Sequence, residues 1–255
     1  MKLTKDNYFS QEAMMEYFSV SQFKAFQKCE ASALAELNGE YKRETTTSLL
    51  VGSYVDAYYE GDLTGFIEQH PEILKRDGTL KSEYIKADDI IRRTQKDRLF
   101  SMYMNGEPQV IMTGELFGYP WKVKIDSYIK DTAIVDLKVM KDFEAVYVPG
   151  EGCLPWIEYW GYDIQGAVYQ AIVEQNTGKK LPFIIAGVTK EKVPDIGLFE
   201  IPQSRLDVAL KVVESFIDRF ADIKANLIEP TRCEKCDYCK ETKAITEVKL
   251  YDEED

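Results

Sequence analysis

The chain has 255 residues and a formal net charge of −12, with 45% hydrophobic and 12% aromatic residues. That composition argues against global disorder, and no apolar run is long enough to span a bilayer. The negative balance excludes a protein that holds nucleic acid by bulk positive charge, but leaves room for an enzyme with a local basic groove.

The N-terminus, MKLTKDNYFSQEAMMEYF, carries acids where a secretory peptide needs an uninterrupted apolar stretch, which predicts a cytoplasmic protein. VSQFKAFQKCEASALAEL predicts a helix with Ser19 or Ser21 as N-cap, and TTTSLLVGSYVDAYYEG a second. HPEILKRDGTLK has turn residues and little periodicity, so it is expected as a loop; its His70, the sole histidine, is assigned no role. SEYIKADDIIRRTQKDRLFSMYM returns to helical spacing.

The period then changes. QVIMTGE, YPWKVKIDSYI and TAIVDLKVM predict three short strands of an antiparallel meander, joined through FG and KD turn material. YWGYDIQGAVYQAIVEQNTG is helical and ends at Gly178; FIIAGVTK and GLFEIP are two more strands. SRLDVALKVVESFIDRFADIKANL is a long amphipathic helix stopped near Pro230. The order predicts an α/β (α+β) fold: a mixed central β-sheet flanked by helices, with helical N-terminal and cysteine-bearing C-terminal additions.

Side chains alternate faces along a strand. In WKVKIDSYI, Lys122, Lys124 and Asp126 face away from Trp121, Val123 and Ile125; in AIVDLKVM, Asp136 and Lys138 oppose Ala133, Val135 and Leu137. If the two strands pair through the KDT turn, both acids and the lysine converge. Two carboxylates can hold Mg²⁺ or Mn²⁺ beside a scissile phosphate. Lys138 would position or deprotonate a water and offset phosphate charge, with Lys122, Lys124 and Lys141 adding local positive charge. A solvated strand face is the competing reading of Asp-x-Lys taken alone. Gln165 and Tyr169 share a helical face: glutamine can bond a water or phosphate, and tyrosine can stack on a base; core packing is the alternative for Tyr169. In GSYVD, Gly52 would let its helix approach a neighbour and Asp56 would offer a third oxygen ligand.

RCEKCDYCK brings Cys233, Cys236 and Cys239 into a C-x2-C-x2-C pattern that suits a metal site better than a disulfide framework. The fourth ligand would come from Cys29 or Cys153. A [4Fe–4S] cluster, Zn²⁺ or no metal are the alternatives, and the role would be structural.

The succession Gly52-x-x-x-Asp56, Asp126, Asp136-x-Lys138 and Gln165-x-x-x-Tyr169 resembles the PD-(D/E)xK nuclease superfamily, and is most similar to its RecB-like and phage RecE-like exonuclease branch. Asp56 is a departure, because that branch has histidine there. The resemblance implies a single nuclease domain over 1–255, with a restriction-endonuclease-like core over about 45–200 and the terminal segments 1–44 and 201–255 packed on it. It implies that Asp126 and Asp136 bind Mg²⁺ or Mn²⁺, that Lys138 is catalytic, that Gln165 and Tyr169 complete the site, and that Glu115 ranks as an outer residue. AddB-type relatives join one early cysteine to a late group of three through an iron–sulfur cluster, which implies Cys29 as the fourth ligand here. The late group of those relatives has a wider gap before its last cysteine.

The activity so implied is a metal-dependent DNA exonuclease of phage or prophage recombination type. It would digest double-stranded ends and hand the single strand to an annealing protein or recombinase, with a homo-oligomeric ring around DNA as the expected assembly. A structure-selective or single-strand nuclease is the rival enzyme. A non-catalytic nucleic-acid-binding scaffold is the rival outside catalysis.

Overall fold

The computed structural model describes residues 1–246 and 248; the acidic KLYDEED end falls outside that range. In chain order the strands are β1 (Glu107–Leu116), β2 (Tyr119–Ile129), β3 (Ala133–Met140), β4 (Val146–Val148), β5 (Gly152–Leu154), β6 (Phe183–Thr189) and β7 (Ile196–Glu200). The helices are α1 (Gln11–Glu16), α2 (Val20–Lys28), α3 (Glu30–Leu37), α4 (Thr47–Glu60), α5 (Leu63–Gln69), α6 (Ser82–Gln95), α7 (Arg98–Met104), α8 (Trp156–Tyr159), α9 (Tyr162–Thr177), α10 (Gln203–Lys224) and α11 (Asp237–Glu241).

The main sheet has the order β1-β2-β3-β6-β7, and β4 with β5 forms a separate hairpin. β1, β2 and β3 are an antiparallel meander, as the sequence predicts. Phe117 and Gly118 turn the first hairpin with φ of 56° and 82°, the left-handed pair that matches the twist of antiparallel strands. β3 and β6 run parallel, with α9 in the crossover between them, and β7 returns antiparallel, so the sheet is mixed.

Both faces of the sheet are covered. Trp121, Ile125, Ile134 and Phe183 pack with Phe23 of α2, Ile172 of α9 and Phe220 of α10. Val135, Leu137 and Val188 pack with Val55 of α4, Ile90 of α6 and Phe100 of α7. This corrects the picture of β3 as apolar on one side and polar on the other: Ile134 is as buried as Val135, and the polar pair begins only at Asp136. Helices on two sides of a sheet leave its central strands apolar on both faces. The flanking additions belong to the same core, since Phe26 of α2 stacks on Phe220 of α10 at 5.3 Å.

Several boundaries differ from the periodicity. The helix expected over 20–37 is two helices, because Cys29 is extended at φ −166° between α2 and α3. Ser19 is the cap of α2, accepting the Gln22 N–H at 3.3 Å. Asp97 breaks the stretch over 82–104 by capping α7 through the Phe100 N–H at 2.8 Å. α1, α8 and the β4–β5 hairpin are too short for a period to register. Among the described residues no helix is long and apolar enough to cross a membrane.

Candidate active site

The site begins where two strands part. β2 and β3 pair only through Ser127–Ile129 and Ala133–Val135, and then diverge. Past the split the Leu137 N–H has no strand acceptor, and the Asp126 carboxylate takes it at 2.9 Å. On its other flank β2 meets an irregularity in β1. Gln109 sits opposite Asp126 with φ of 56°, and the pairing register steps from Pro108 to Val110. Its amide reaches toward Asp126 at 3.4 Å, and its buried Oε1 finds no partner. Asp126 is thus fixed at a fork, with one oxygen engaged by backbone and the other by a side chain.

Asp136, 2% exposed, is the most buried carboxylate of the group. Its Oδ1 accepts the Gln165 amide at 2.6 Å, and the Lys138 ammonium pairs with its Oδ2. The Lys138 ammonium is the sole partner of Oδ2 among the described residues. Gln165 can reach Asp136 because α9 lies tightly on the sheet. A Cβ at the next residue, Gly166, would stand 2.7 Å from Phe183 and 2.8 Å from Leu206. One turn on, Tyr169 is buried and donates its hydroxyl to the Lys124 carbonyl at 3.1 Å, tying α9 to β2. The ring is thus packed against the core, and Tyr169 also lines the cavity that holds the carboxylates.

Asp56 and Glu60, one turn apart on α4, complete the acidic side of a cavity of about 410 Å³ that also holds Asp126, Asp136, Lys138 and Gln165. Gly52 does not serve close packing as expected, since a Cβ there would meet nothing within 4 Å. Lys124 faces Glu60 at 3.6 Å, and Lys24 donates to the Trp160 carbonyl at 2.9 Å. Both Lys24 and Lys138 lie near the Tyr162 ring, at 5.2 Å and 5.1 Å.

Burial and then the neighbouring Asp136 charge push the Asp126 carboxyl up to about 7. Burial, followed by Asp126, raises Asp56 well above the usual carboxylate range. For Lys138 burial acts to lower the pKa, but the Asp136 and Asp126 charges outweigh it and hold the ammonium above its ordinary value. Burial with the Lys138 charge brings Lys24 down to about 8, and burial alone does the same for Lys122.

Desolvated carboxylates that repel one another form a hard-oxygen donor set that suits a divalent cation such as Mg²⁺ or Mn²⁺. Asp56, Asp126 and Asp136 are not drawn into a closed trio, however. Among the described residues the only group of three or more ligating side chains with donor atoms all within 4.8 Å is Cys29, Cys233, Cys236 and Cys239. Cys29 reaches it because the α2–α3 break turns its thiol toward α11, 3.5 Å from Cys239 Sγ. Cys153 is exposed on β5 and takes no part. Four thiols so close fit a tetrahedral ion, whose edge is about 3.8 Å for a 2.3 Å metal–sulfur bond.

Two sequence-level candidates fall outside the cavity. Glu115 pairs with Pro120 at the far end of the first hairpin, about 20 Å along β2 from Asp126, and is exposed. Lys141 points to solvent and pairs with Asp142 at 3.2 Å. Conversely, Lys24, Glu60, Gln109, Tyr8 and Phe9 escaped the sequence reading. Glu60, four residues after Asp56, carried a usable signal in its helical spacing. Gln109 and the Tyr8–Phe9 pair carried none, because long-range packing alone brings them here.

The family model "PDDEXK-like domain of unknown function (DUF3799)" matches residues 19–242. A crystal structure named "Putative exonuclease" from Eubacterium rectale is similar at 48% identity and a TM-score of 0.95, over 98% of this chain and 97% of that one. The crystal structure of SSO0001 aligns at 14% identity and a TM-score of 0.31, over 78% of this chain and 87% of that one. No curated protein matches the chain.

Proposed function

Since the chain belongs to the PDDEXK-like family, and so to the PD-(D/E)xK nucleases, we propose that it is a metal-dependent deoxyribonuclease that works as an exonuclease on double-stranded ends. The observation that carries this reading is the fork between β2 and β3, where Asp126 and Asp136 share a cavity with the Lys138 ammonium.

Asp126 and Asp136, with Asp56 beside them, would hold Mg²⁺ or Mn²⁺. When bound, such an ion neutralises phosphate charge and makes a water more acidic. Gln165 keeps the Asp136 carboxylate turned into the cavity, and Tyr169 fixes β2 at Lys124. Lys138, held protonated by its acidic neighbours, is a donor: it orients a water and offsets developing phosphate charge rather than taking a proton. Lys24, Lys122 and Lys124 supply the local positive charge that a chain of net charge −12 needs to draw in DNA.

The cysteine quartet would hold a structural metal. Sulfur separations of 3.5 and 3.9 Å support one tetrahedral ion such as Zn²⁺, whereas the [4Fe–4S] cluster implied by the resemblance would require the thiolates to spread. A recombination role, an annealing partner, a ring assembly and a cytoplasmic location enter through the sequence resemblance and composition.

Incubation with linear duplex, closed circular duplex and single-stranded DNA in Mg²⁺ or Mn²⁺ tests the substrate assignment. Loss of the linear duplex with the circle intact is expected. Cutting of circles would favour a structure-selective enzyme, and binding without loss of any substrate would favour the scaffold.

A further inference from the structure

At the mouth of the catalytic cavity stands an aromatic wall that the chemistry above does not use. Tyr8 is buried, and its carbonyl accepts the Lys122 ammonium at 2.5 Å. Phe9 packs edge-on against Tyr8 with ring centroids 4.9 Å apart, yet is itself 66% exposed. The Lys124 ammonium lies 5.1 Å from the Phe9 ring. An exposed aromatic ring backed by Tyr8, with the Lys124 ammonium beside it, can receive a base and the phosphate next to it.

Beyond this wall the surface does not close. A second cavity of about 440 Å³ shares Tyr8, Phe9, Ser19, Ser21 and Lys122 with the catalytic one, and continues to Tyr41, Lys42 and Arg43. At that end Arg43 is paired with Glu36, while Lys42 is exposed and has no ion pair among the described residues. Tyr41 is braced by Tyr238 at 5.2 Å, which gives the far end an aromatic of its own. The two cavities therefore adjoin along Tyr8 and Phe9, with the carboxylates in one and Lys42, which has no ion pair among the described residues, in the other.

We propose that the two cavities act as one groove that binds a single strand of DNA continuous with the strand held at Asp136, one unpaired base stacking on Phe9 and a phosphate farther along meeting Lys42. The inference rests on the nuclease reading and deepens it by specifying the form of the substrate that leaves or enters the site. The single strand is selected by the ring itself. Bases inside a duplex are covered on both faces by their neighbours, so away from its terminal pair a duplex offers this ring nothing to stack on, whereas every base of a single strand does. The charge pattern agrees, because Lys124 beside Phe9 and Lys42 at the far end place positive charge along this path in a chain of net charge −12.

The test measures binding of fluorescent single-stranded oligonucleotides of increasing length, and of a blunt duplex, in the cleavage-deficient Asp136→Asn background. Phe9→Ala should weaken single-strand binding by roughly 5- to 100-fold, the loss of one stacked base, and Phe9→Trp should restore it. Lys42→Ala should remove the affinity gained on lengthening the strand and lower the salt slope by about 0.7. Equal single-strand affinities in Phe9→Ala, Lys42→Ala and their background would overturn the groove, as would identical losses for single strand and duplex. Cleavage of DNA by the wild type is followed in parallel. An inactive wild type undermines the nuclease reading, whereas an active wild type with undiminished binding by the variants removes the groove alone.

Discussion

The carboxylate of Asp126 accepts the Leu137 backbone N–H at 2.9 Å, closing with a side chain the gap that opens where β2 and β3 separate. One oxygen of the residue proposed to hold a metal therefore also holds the sheet. The charge and the acceptor of Asp126 have different jobs, and substitution can separate them.

Asp126→Asn keeps an acceptor for the Leu137 N–H and discards the charge. Its new amide can also donate to Gln109, whose Oε1 lacks a partner. DNA cleavage should fall by about 100-fold or more. The melting temperature of the metal-free protein at pH 8 should stay level or rise by roughly 2–4 °C, as for about 1 kcal/mol. A variant that melts well below wild type would show that the charge itself is structural.

Gln165→Ala removes the donor to Asp136 Oδ1 without touching the carboxylates. Affinity for Mn²⁺ should drop by roughly 10- to 100-fold, with activity recovered at high Mn²⁺ concentration. Calorimetric titration of Mn²⁺ reads this directly; an unchanged affinity would mean that the amide does not orient Asp136.

The pH dependence follows from Asp126. Its carboxyl stands at about 7 in the folded chain against an ordinary 3.8, so between those values the folded form retains a proton that the unfolded form has lost. Stability of the metal-free protein from this group should thus fall as pH rises from about 4 to 7. A cation competes with that proton, so stabilisation by Mg²⁺ should grow over the same window. Thermal melts at pH 5, 6, 7 and 8, with and without Mg²⁺, give both slopes, and a Mg²⁺ effect independent of pH would contradict the assignment.

How much of this was legible in the chain depends on the range of the interaction. Alternation in WKVKIDSYI and AIVDLKVM identified the strands, and the KDT turn made them neighbours. Asp126, Asp136 and Lys138 therefore emerged together at the sequence level and line one cavity in the fold. Glu115 misled because a residue on the adjacent strand looks close until the hairpin register sends it to the far end. Cys29 hid a helix break, since VSQFKAFQKCEASALAEL keeps its apolar spacing through a residue that is extended in space. The same residue is a candidate thiol ligand in the sequence, and the break is what lets its side chain reach Cys239.

Cys29→Ser should therefore uncouple the two ends of the chain. A metal joining Cys29 to Cys239 closes a loop of 210 residues, and loop closure on that scale is worth about 5 kcal/mol. Metal content measured by mass spectrometry should fall, and the melting temperature should drop by roughly 10 °C. Stoichiometric zinc in the purified wild type would support a single tetrahedral ion, and iron with visible absorption would support the cluster. A variant with unaltered metal content and melting would remove Cys29 from the site.

The most direct test of the account is release of nucleotides from linear duplex DNA by matched preparations of wild type and Asp136→Asn, in Mg²⁺ and again after chelation. The account predicts release by the wild type in Mg²⁺, none after chelation, and a rate at least about 100-fold lower for the folded variant. Equal release by both proteins, or release that survives chelation, would contradict it.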